Sequence, residues 1–402
     1  MKRLFLLIIC ILTSLQSSAQ NPEPGQIRHY KPDMERYTAK KGVVLPDLLV
    51  TGEGKIVRNV KIWEKCRRNE LLDIFSSEMY GKVPERPEGL HFTLTAPDSI
   101  VYDGTALRRR VRIYLDSDEK HSFDVLIHLP VRHNGKIPMF VGLNFAGNEE
   151  TLGQNKRHWP FEMIVSEGFG VAEACHASIE PDGDEFGKDE PSAQVRSWYK
   201  PAEEWGAISA WAWGLSRIVD YLETCPEIDC SKVAVIGHSR LGKTALWASA
   251  NDKRFALAIS NCSGCCGAAI SRRCYGETFS AIYSRFPYWF VPEFAKYQNN
   301  EETFPTDQHA LIALSAPRPV YVASAALDYW ADPEGEWMAA KEASCVYELY
   351  GLEGLSRDRM QPIGHTDDYG HIAYRIREGG HGLLSDDWCD YIKFAKRHFL
   401  VK

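Results

Sequence analysis

The sequence predicts an α/β fold built on a doubly wound, mostly parallel sheet flanked by helices. The strands of this sheet are expected where short, mostly apolar runs occur: 138–143, 168–174, 233–236, 255–260 and 319–325. A long helix at 205–222, with apolar residues on one face, leads to the third of these strands. Strands that alternate with helices favour a parallel sheet, whose ligands bind beyond the carboxyl ends of the strands.

The first 19 residues have the pattern of a secretory signal peptide. Two basic residues precede an apolar run at 4–12, and Ser17-Ser18-Ala19 supplies the small residues of a cleavage site. The apolar run is too short to span a bilayer. We therefore expect cleavage after Ala19, a periplasmic or secreted protein, and a single domain over 20–402 whose N-terminal extension covers about 20–100.

The charge balance argues against nucleic acid as a partner. The 402 residues include 47 Lys and Arg against 54 Asp and Glu, and the signal peptide removes only basic ones. The basic clusters 108–110 and 272–273 are short and lack interleaved aromatic residues. We expect a monomer that binds neither nucleic acid nor membrane.

Eleven cysteines in a chain bound for an oxidising compartment make disulfides possible. Cys225 and Cys230 are close in sequence and form a plausible pair. Cys262, Cys265 and Cys266 also suggest a metal site, but no histidine and no second Cys-x-x-Cys has the matching spacing. We therefore expect no metal.

The chain before the parallel strands has other patterns. Residues 63–79 have helical spacing, with Trp63 and Leu71 among the candidate core residues. Three segments alternate apolar and polar residues as antiparallel strands do: 91–94, 110–115 and 122–129. This alternation predicts that Arg110 and Arg112 lie on a solvated strand face. Farther along, the acidic segment 180–190 is predicted to be a surface loop.

A strand, a sharp turn and a helix follow one another around Ser239. The turn Gly237-His238-Ser239-Arg240 joins the apolar strand 233–236 to a helix predicted at 241–248. This is the pattern of a nucleophile elbow, in which the helix N-terminus directs N–H groups at negative charge developing beside the serine. The match to G-x-S-x-G is imperfect, because Gly242 comes one residue late. A serine that caps the helix is the alternative.

A nucleophilic serine needs a histidine base, and the histidine needs a carboxylate. Asp328 follows the strand at 319–325, and His381 follows later between glycines that let a loop bring the imidazole over the sheet edge. Asp332 is the nearest substitute acid, with a turn residue before a proline as its alternative role. His365 and His371 are rival bases.

The loop after the strand at 138–143 is a second candidate part of the site. Asn144 and the backbone of Phe145 are candidate oxyanion donors there. An asparagine that only shapes the turn is the alternative.

From about 138 to 398 the chain resembles the bacterial glucuronoyl esterases of carbohydrate esterase family 15. The residues that carry the resemblance are Gly237-His238-Ser239-Arg240-Leu241-Gly242-Lys243, Gly264-Cys265-Cys266-Gly267-Ala268-Ala269, Gly276-Glu277-Thr278, Asp328-Tyr329-Trp330-Ala331-Asp332-Pro333-Glu334-Gly335 and Gly380-His381. The resemblance implies an α/β-hydrolase fold, a three-layer sandwich. It also implies a serine esterase that cleaves esters between 4-O-methyl-glucuronate on xylan and lignin alcohols, without metal or organic cofactor.

The same resemblance assigns roles to residues around Ser239. Arg240 would stabilise the oxyanion with its side chain and backbone N–H, and Lys243, Glu277 and Trp330 would bind the uronate. The alternatives are a solvated glutamate at 277 and a core tryptophan at 330.

The sequence departs from the family pattern at two positions. Cys262 stands where many relatives carry the catalytic acid, so the resemblance transfers that role to Asp328. His238 replaces a cysteine of the fungal relatives, so their active-site disulfide is not expected. Two rival functions stay open: an acetyl-xylan or general carboxylesterase, and a non-catalytic carbohydrate-binding protein on a hydrolase fold.

Overall fold

The computed structural model describes residues 38–153, 158–183, 191–199 and 204–400. These residues belong to one compact unit, Pro32–Lys402. The predicted signal peptide, and the other unit at Met1–Lys31, lie outside the described residues. No helix within the described ranges is both long enough and apolar enough to cross a bilayer.

In the part of the chain that the structure describes, eleven strands form one mixed sheet. They are β1 (His91–Leu94), β2 (Ser99–Val101), β3 (Ala106–Tyr114), β4 (Ser122–Pro130), β5 (Ile137–Asn144), β6 (Gly170–Cys175), β7 (Ile228–His238), β8 (Phe255–Asn261), β9 (Val320–Ala325), β10 (Thr366–Asp367) and β11 (Ile372–Arg377). The order is β1-β3-β4-β6-β5-β7-β8-β9-β11-β10, with β2 on β3. Neighbours from β6 to β11 are parallel, which confirms the predicted α/β architecture.

Helices cover both faces of this sheet. They are α1 (Val60–Ile62), α2 (Arg68–Phe75), α3 (Asn148–Gly153), α4 (Phe161–Ser166), α5 (His176–Ile179), α6 (Val195–Trp198), α7 (Ala207–Leu222), α8 (Arg240–Asn251), α9 (Phe279–Arg285), α10 (Gln308–Ala313), α11 (Pro333–Leu349) and α12 (Ser385–Leu400). One core holds residues of α7, α8, α10 and α11, and the core on the opposite face holds residues of α4 and α12. The fold is therefore a three-layer sandwich.

The winding of the chain reverses between two adjacent central strands. From β5 the chain passes to β6 on one side, and it then returns to add β7 on the other side. A crevice forms at such a switch point, beyond the carboxyl ends of the strands. Ser239 directly follows the end of β7, so the elbow lies at this crevice.

The first third of the chain folds much as the sequence predicts. A helical run from Val60 to Tyr80 includes two π-helical stretches, and it buries Trp63 and Leu71. The antiparallel strands also form. Arg110 pairs with Glu149, and Arg112 with Asp124 at 2.6 Å, on a partly exposed face.

The predicted helix at 205–222 forms as α7, and all sixteen of its residues are buried because the helix is covered on its outer side as well. The predicted cysteine pair is wrong: Cys225 and Cys230 are free, as are the other described cysteines, and the Cys225 thiol instead lies 3.7 Å from the Tyr221 carbonyl. Most of the predicted surface loop 180–190, residues 184–190, lies outside the described residues. In its described part the expectation is wrong for Asp182, whose side chain has no exposed surface.

The approach of α8 to β7 requires a glycine at 237. A Cβ atom there would lie 1.8 Å from the Leu241 carbonyl oxygen, a backbone atom that cannot rotate away. Gly237→Ala should therefore lower the free energy of unfolding by about 3 kcal/mol in denaturant titrations. Gly52→Ala is the control, because a Cβ atom there meets no heavy atom within 4 Å. Equal midpoints for the two variants would contradict the steric argument.

Candidate active site

Ser239 occupies the turn between β7 and α8 in a strained backbone conformation. Its φ of 58° lies in the left-handed region, which residues with a side chain seldom adopt. The Ser239 N–H donates to the Asn261 carbonyl at 2.9 Å, and this bond ties the turn to the end of β8. The serine side chain does not cap the helix, so that alternative is wrong. The hydroxyl lines a pocket instead.

The late second glycine has a packing reason. A Cβ atom at Gly242 would lie 2.9 Å from the Ser263 Cβ. The residue after Arg240 in the motif, Leu241, is buried in the core instead. The close contact between helix and neighbouring loop therefore falls one residue later than in G-x-S-x-G.

His381 and Asp328 form a hydrogen-bonded pair beside this turn. The imidazole Nδ1 lies 2.6 Å from the Asp328 carboxylate, whose side chain is 5% exposed. Because Nδ1 is hydrogen-bonded to Asp328, Nε2 is the ring nitrogen that can exchange a proton with the serine. Both residues line the same pocket as Ser239. Within the described residues, no hydrogen bond yet joins the Ser239 hydroxyl to His381, and such bonds are often long before substrate binds.

The loop that carries His381 is held by a buried arginine that the sequence analysis missed. Arg377 donates to the carbonyls of Glu378, Gly380 and Gly382 at 2.7 to 2.9 Å. Its Nε donates to Asp387 at 3.2 Å, so the buried charge has a counter-ion. Three carbonyls on one guanidinium fix a glycine-rich loop that otherwise has many accessible conformations.

His238 packs against His381. The two ring centroids are 4.5 Å apart, and the His238 Nδ1 lies 2.6 Å from the Asn261 side-chain oxygen. Burial, with a smaller contribution from the nearby His381, lowers the pKa of His238 well below its usual value. His238 is therefore neutral and packs on His381 without opposing its charge.

The rival residues lie elsewhere. His365 is exposed on a loop, and His371 lies at the amino end of β11 with its ring 5.0 Å from that of His398. The Asp332 carboxylate accepts from Arg273 at 2.7 Å and from the Gly335 N–H at 3.0 Å, so it caps α11.

The Asn144 side chain shapes its own turn. Its oxygen accepts from the Gly147 N–H and its nitrogen donates to Asn148, both at 2.9 Å. Asn144 is therefore the structural asparagine that the sequence analysis kept as an alternative.

Arg240 is fixed by a buried carboxylate. Asp182 accepts hydrogen bonds from Arg240 at 2.5 Å, His176 at 3.0 Å, Tyr288 at 2.9 Å and Trp289 at 2.8 Å. Burial alone raises the pKa of Asp182, but the His176 hydrogen bond and the Arg240 charge outweigh it and lower the pKa to about 2. Asp182 is thus ionised at any physiological pH.

Two aromatic rings pack against the guanidinium of Arg240. It lies 4.5 Å from the centre of Trp289 and 4.9 Å from that of Phe286. Arg240 is also the first residue of α8, where backbone N–H groups have no acceptor within the helix. A cation, N–H groups and the helix dipole therefore meet beside Ser239.

Lys243, Glu277 and Trp330 line the same pocket. The Lys243 ammonium lies 3.8 Å from the Glu277 carboxylate and donates to the Ser263 carbonyl. Burial raises the pKa of Glu277, although the charge of Lys243 opposes this. Glu277 is 11% exposed and Trp330 is 37% exposed, so neither the solvated glutamate nor the core tryptophan is found.

The pocket has a volume of about 260 Å³. It is lined by Ser239, Arg240, Lys243, Cys262, Ser263, Gly264, Glu277, Arg285, Phe286, Trp289, Asp328, Trp330, Ala331 and His381. All seven predicted site residues are among them. The exposed Arg285, at the end of α9, was not predicted.

The sequence is similar to known proteins along most of its length. Residues 114–351 match the family described as "Glucuronyl esterase, fungi". Over 99% of both chains, the protein is 39% identical to "Carbohydrate esterase MZ0003" from an unknown prokaryotic organism. The chain belongs to the glucuronyl esterase family. The resemblance inferred from the sequence motifs is thereby confirmed, and the protein is a carboxylic ester hydrolase.

Solved glucuronyl esterases have the same fold. A glucuronoyl esterase from Solibacter usitatus has a TM-score of 0.83 at 37% identity, covering 89% of this chain and 98% of its own. A promiscuous CE15 esterase from a marine bacterial metagenome has a TM-score of 0.82 at 39% identity, covering 90% and 98%. These neighbours confirm the α/β-hydrolase fold.

The Asp182 carboxylate should give this glucuronyl esterase a specific acid sensitivity. Its pKa is about 2 in the folded protein against 3.8 ordinarily, so unfolding takes up a proton between these values. Stability from this group is full above pH 4 and falls as the pH drops toward 2, by about 2 kcal/mol in total. Denaturant titrations from pH 2 to 5 measure this fall. The free energy of unfolding should decrease more steeply with falling pH in the wild type than in Asp182→Asn.

A matched control for this measurement is Asp118→Asn, which removes an exposed carboxylate paired with Lys120. It should keep the pH dependence of the wild type. The same slope in Asp182→Asn and in the wild type would contradict the assignment.

Proposed function

We propose that the protein hydrolyses glucuronoyl esters through an acyl-enzyme on Ser239. The observation that carries this proposal is the pairing of His381 with Asp328 in one pocket with Ser239 and Arg240. Curated relatives support the substrate class. The 4-O-methyl-glucuronoyl methylesterase of Hypocrea jecorina is 28% identical over 78% of this chain and 64% of its own.

The first half of the reaction forms the acyl-enzyme. His381 Nε2 takes the proton of the Ser239 hydroxyl, and the oxygen attacks the ester carbonyl carbon. The carbonyl oxygen becomes an oxyanion, which the Arg240 side chain and the N–H groups at the start of α8 stabilise. Collapse breaks the bond to the alcohol, which leaves with the proton from His381.

The second half regenerates the enzyme. Water gives a proton to His381 and attacks the acyl carbon, and collapse of this intermediate returns the proton to Ser239 and releases the uronate. Asp328 holds the imidazole tautomer and stabilises its charged form in both halves. The chemistry requires no metal and no organic cofactor.

Lys243, Glu277 and Trp330 suit a uronate ring rather than a small acyl group. An ammonium donates to sugar hydroxyls, a carboxylate accepts from them, and an indole offers a flat apolar face. The pairing of Lys243 with Glu277 orders both side chains before substrate arrives. An acetyl ester has no sugar ring for these three side chains to contact.

We extend the proposal to the natural substrate and its location. The ester would join glucuronate or 4-O-methyl-glucuronate of glucuronoxylan to lignin alcohols, and the monomeric enzyme would act in the periplasm or outside the cell. The exposed Trp330 at the rim of the pocket is consistent with a polymeric substrate.

Methyl or benzyl glucuronate should be the preferred small substrate. We expect kcat/KM for it to exceed that for the galacturonate epimer and for an aryl acetate by at least about tenfold, because a misplaced or missing hydroxyl leaves a buried polar group unpaired. Glu277→Gln should raise KM for the glucuronate ester and leave acetate hydrolysis nearly unchanged. A strong preference for acetate would instead support a general carboxylesterase.

The roles of the site residues predict a graded loss of turnover on the same ester. Ser239→Ala should retain almost none, and Asp328→Asn should lose up to about 10⁴-fold, because the imidazole tautomer is no longer held. Arg240→Ala should lose about 10² to 10³-fold, as for one oxyanion donor. Cys262→Ser, beside Asp328, should lose only a few-fold. The reverse order for residues 262 and 328 would overturn the acid assignment.

A fluorophosphonate provides an independent readout. It should label the wild type at Ser239 and fail to label Ser239→Ala. Absence of labelling in a folded wild type would favour a non-catalytic binding protein.

A further inference from the structure

We propose that Cys262, Asp328 and His381 form a site for a thiophilic divalent cation such as Zn²⁺. Occupancy would block the esterase, a consequence that rests on the proposed function. The metal site itself rests only on the positions and chemistry of the three side chains.

The sheet brings these three residues together. Cys262 follows β8, Asp328 follows β9 and His381 follows β11, and these are three adjacent parallel strands. The Cys262 N–H donates to the Ala323 carbonyl at 2.7 Å, which extends the strand pairing to the cysteine. Backbone pairing therefore fixes the thiol beside the other two groups.

The distances suit one metal ion. One ligand atom from each residue, the thiol sulfur, a carboxylate oxygen and an imidazole nitrogen, lies within 4.8 Å of the other two. Zinc binds sulfur at about 2.3 Å and nitrogen or oxygen at about 2.0 to 2.2 Å, so tetrahedral ligands lie about 3 to 4 Å apart. A metal ion would therefore draw the most distant of these atoms together by on the order of 1 Å.

The Cys262 sulfur has no hydrogen-bonding role among the described residues. The residue is 2% exposed, it lines the pocket, and its thiol takes part in no hydrogen bond within the described residues. Burial, followed by the charges of Asp328 and Glu336, raises its pKa well above the usual value. The thiol is therefore protonated without metal, and binding exchanges its proton for the cation.

The donor set selects the kind of cation. Thiolate and imidazole favour Zn²⁺ over Mg²⁺ or Ca²⁺, which prefer sites made of oxygen atoms. Two cations of the pocket are paired with carboxylates, Arg240 with Asp182 and Lys243 with Glu277. Three protein ligands leave a fourth position for water from the pocket.

Binding and catalysis exclude each other. A metal on the imidazole occupies or reorients the nitrogen that must accept the Ser239 proton. It also replaces the 2.6 Å bond between His381 and Asp328 by metal–ligand bonds. Cys262→Ser would remove the sulfur ligand and leave this hydrogen-bonded pair in place.

Binding is measured first without reference to activity. Full-length Ser239→Ala is titrated with Zn²⁺ by calorimetry and with Co²⁺ by absorption spectroscopy. We expect one equivalent of each metal, proton release, and a thiolate-to-cobalt charge-transfer band. Adding Cys262→Ser should abolish the band and weaken binding by about tenfold or more. A protein without the band, or with binding unchanged by Cys262→Ser, would overturn the proposal.

Inhibition is measured next. Zn²⁺ should inhibit glucuronate ester hydrolysis by the wild type, and activity should recover when EDTA is added. Cys262→Ser should require at least about tenfold more zinc for the same degree of inhibition. Cys389→Ser, which removes an exposed thiol, is the matched control and should behave as the wild type. Equal zinc sensitivity of Cys262→Ser and the wild type would overturn the inhibitory role.

The two proposals fail in different ways. Zinc binding to an inactive wild type would refute the proposed function and keep the metal site. An active wild type without zinc binding would do the opposite. Should Cys262→Ser fold poorly by circular dichroism, Cys262→Ala in the Ser239→Ala background replaces it, because other free cysteines could also bind cobalt. A cobalt band that survives Cys262→Ala would overturn the proposal.

Discussion

Hydrogen bonding between four parallel strands determines where the chemistry of this protein can occur. The register aligns His238 with Asn261 and Asn261 with Ala323 across β7, β8 and β9. The ladder continues one residue beyond the strands, through the N–H groups of Ser239 and Cys262. Because this backbone pairing is rigid, Ser239 and Cys262 leave the sheet at the same level. The longer loops after β9 and β11 then bring Asp328 and His381 over that edge.

Buried charges at this edge are stabilised in pairs. Arg240 lies against Asp182, Lys243 against Glu277 and Arg377 against Asp387. A buried charge without a partner costs several kcal/mol. Because separation of a pair would incur this cost, each charged side chain is held in an orientation toward its partner. Arg240, the proposed oxyanion donor, is therefore oriented before any reaction begins.

Local rules predicted the strands, the elbow and the residues that follow strand ends, because these depend on short stretches of sequence. Asp182 could not be found in this way. Its Pro-Asp-Gly context has the composition of a surface turn, and its donors other than His176 lie 58 to 107 residues away. Arg377 was missed for a different reason. Its partners lie within ten residues, but an arginine in a short strand has the pattern of a solvated residue until Asp387 is placed beside it. The requirement that a buried Arg240 have a counter-ion was predictable, but not which acid supplies it.

Burial and ion pairing also determine which groups near Ser239 keep one charge state over the working pH range of a histidine base. Asp182, with a pKa of about 2, stays ionised throughout the pH range in which a histidine base works, so the position of Arg240 does not change with pH. His238 stays neutral over the same range because burial lowers its pKa. In the proposed mechanism, the proton that moves during turnover is thus confined to His381 and Ser239, between a fixed cation and a neutral ring. The thiol of Cys262 lines the same pocket, next to the groups that would move this proton.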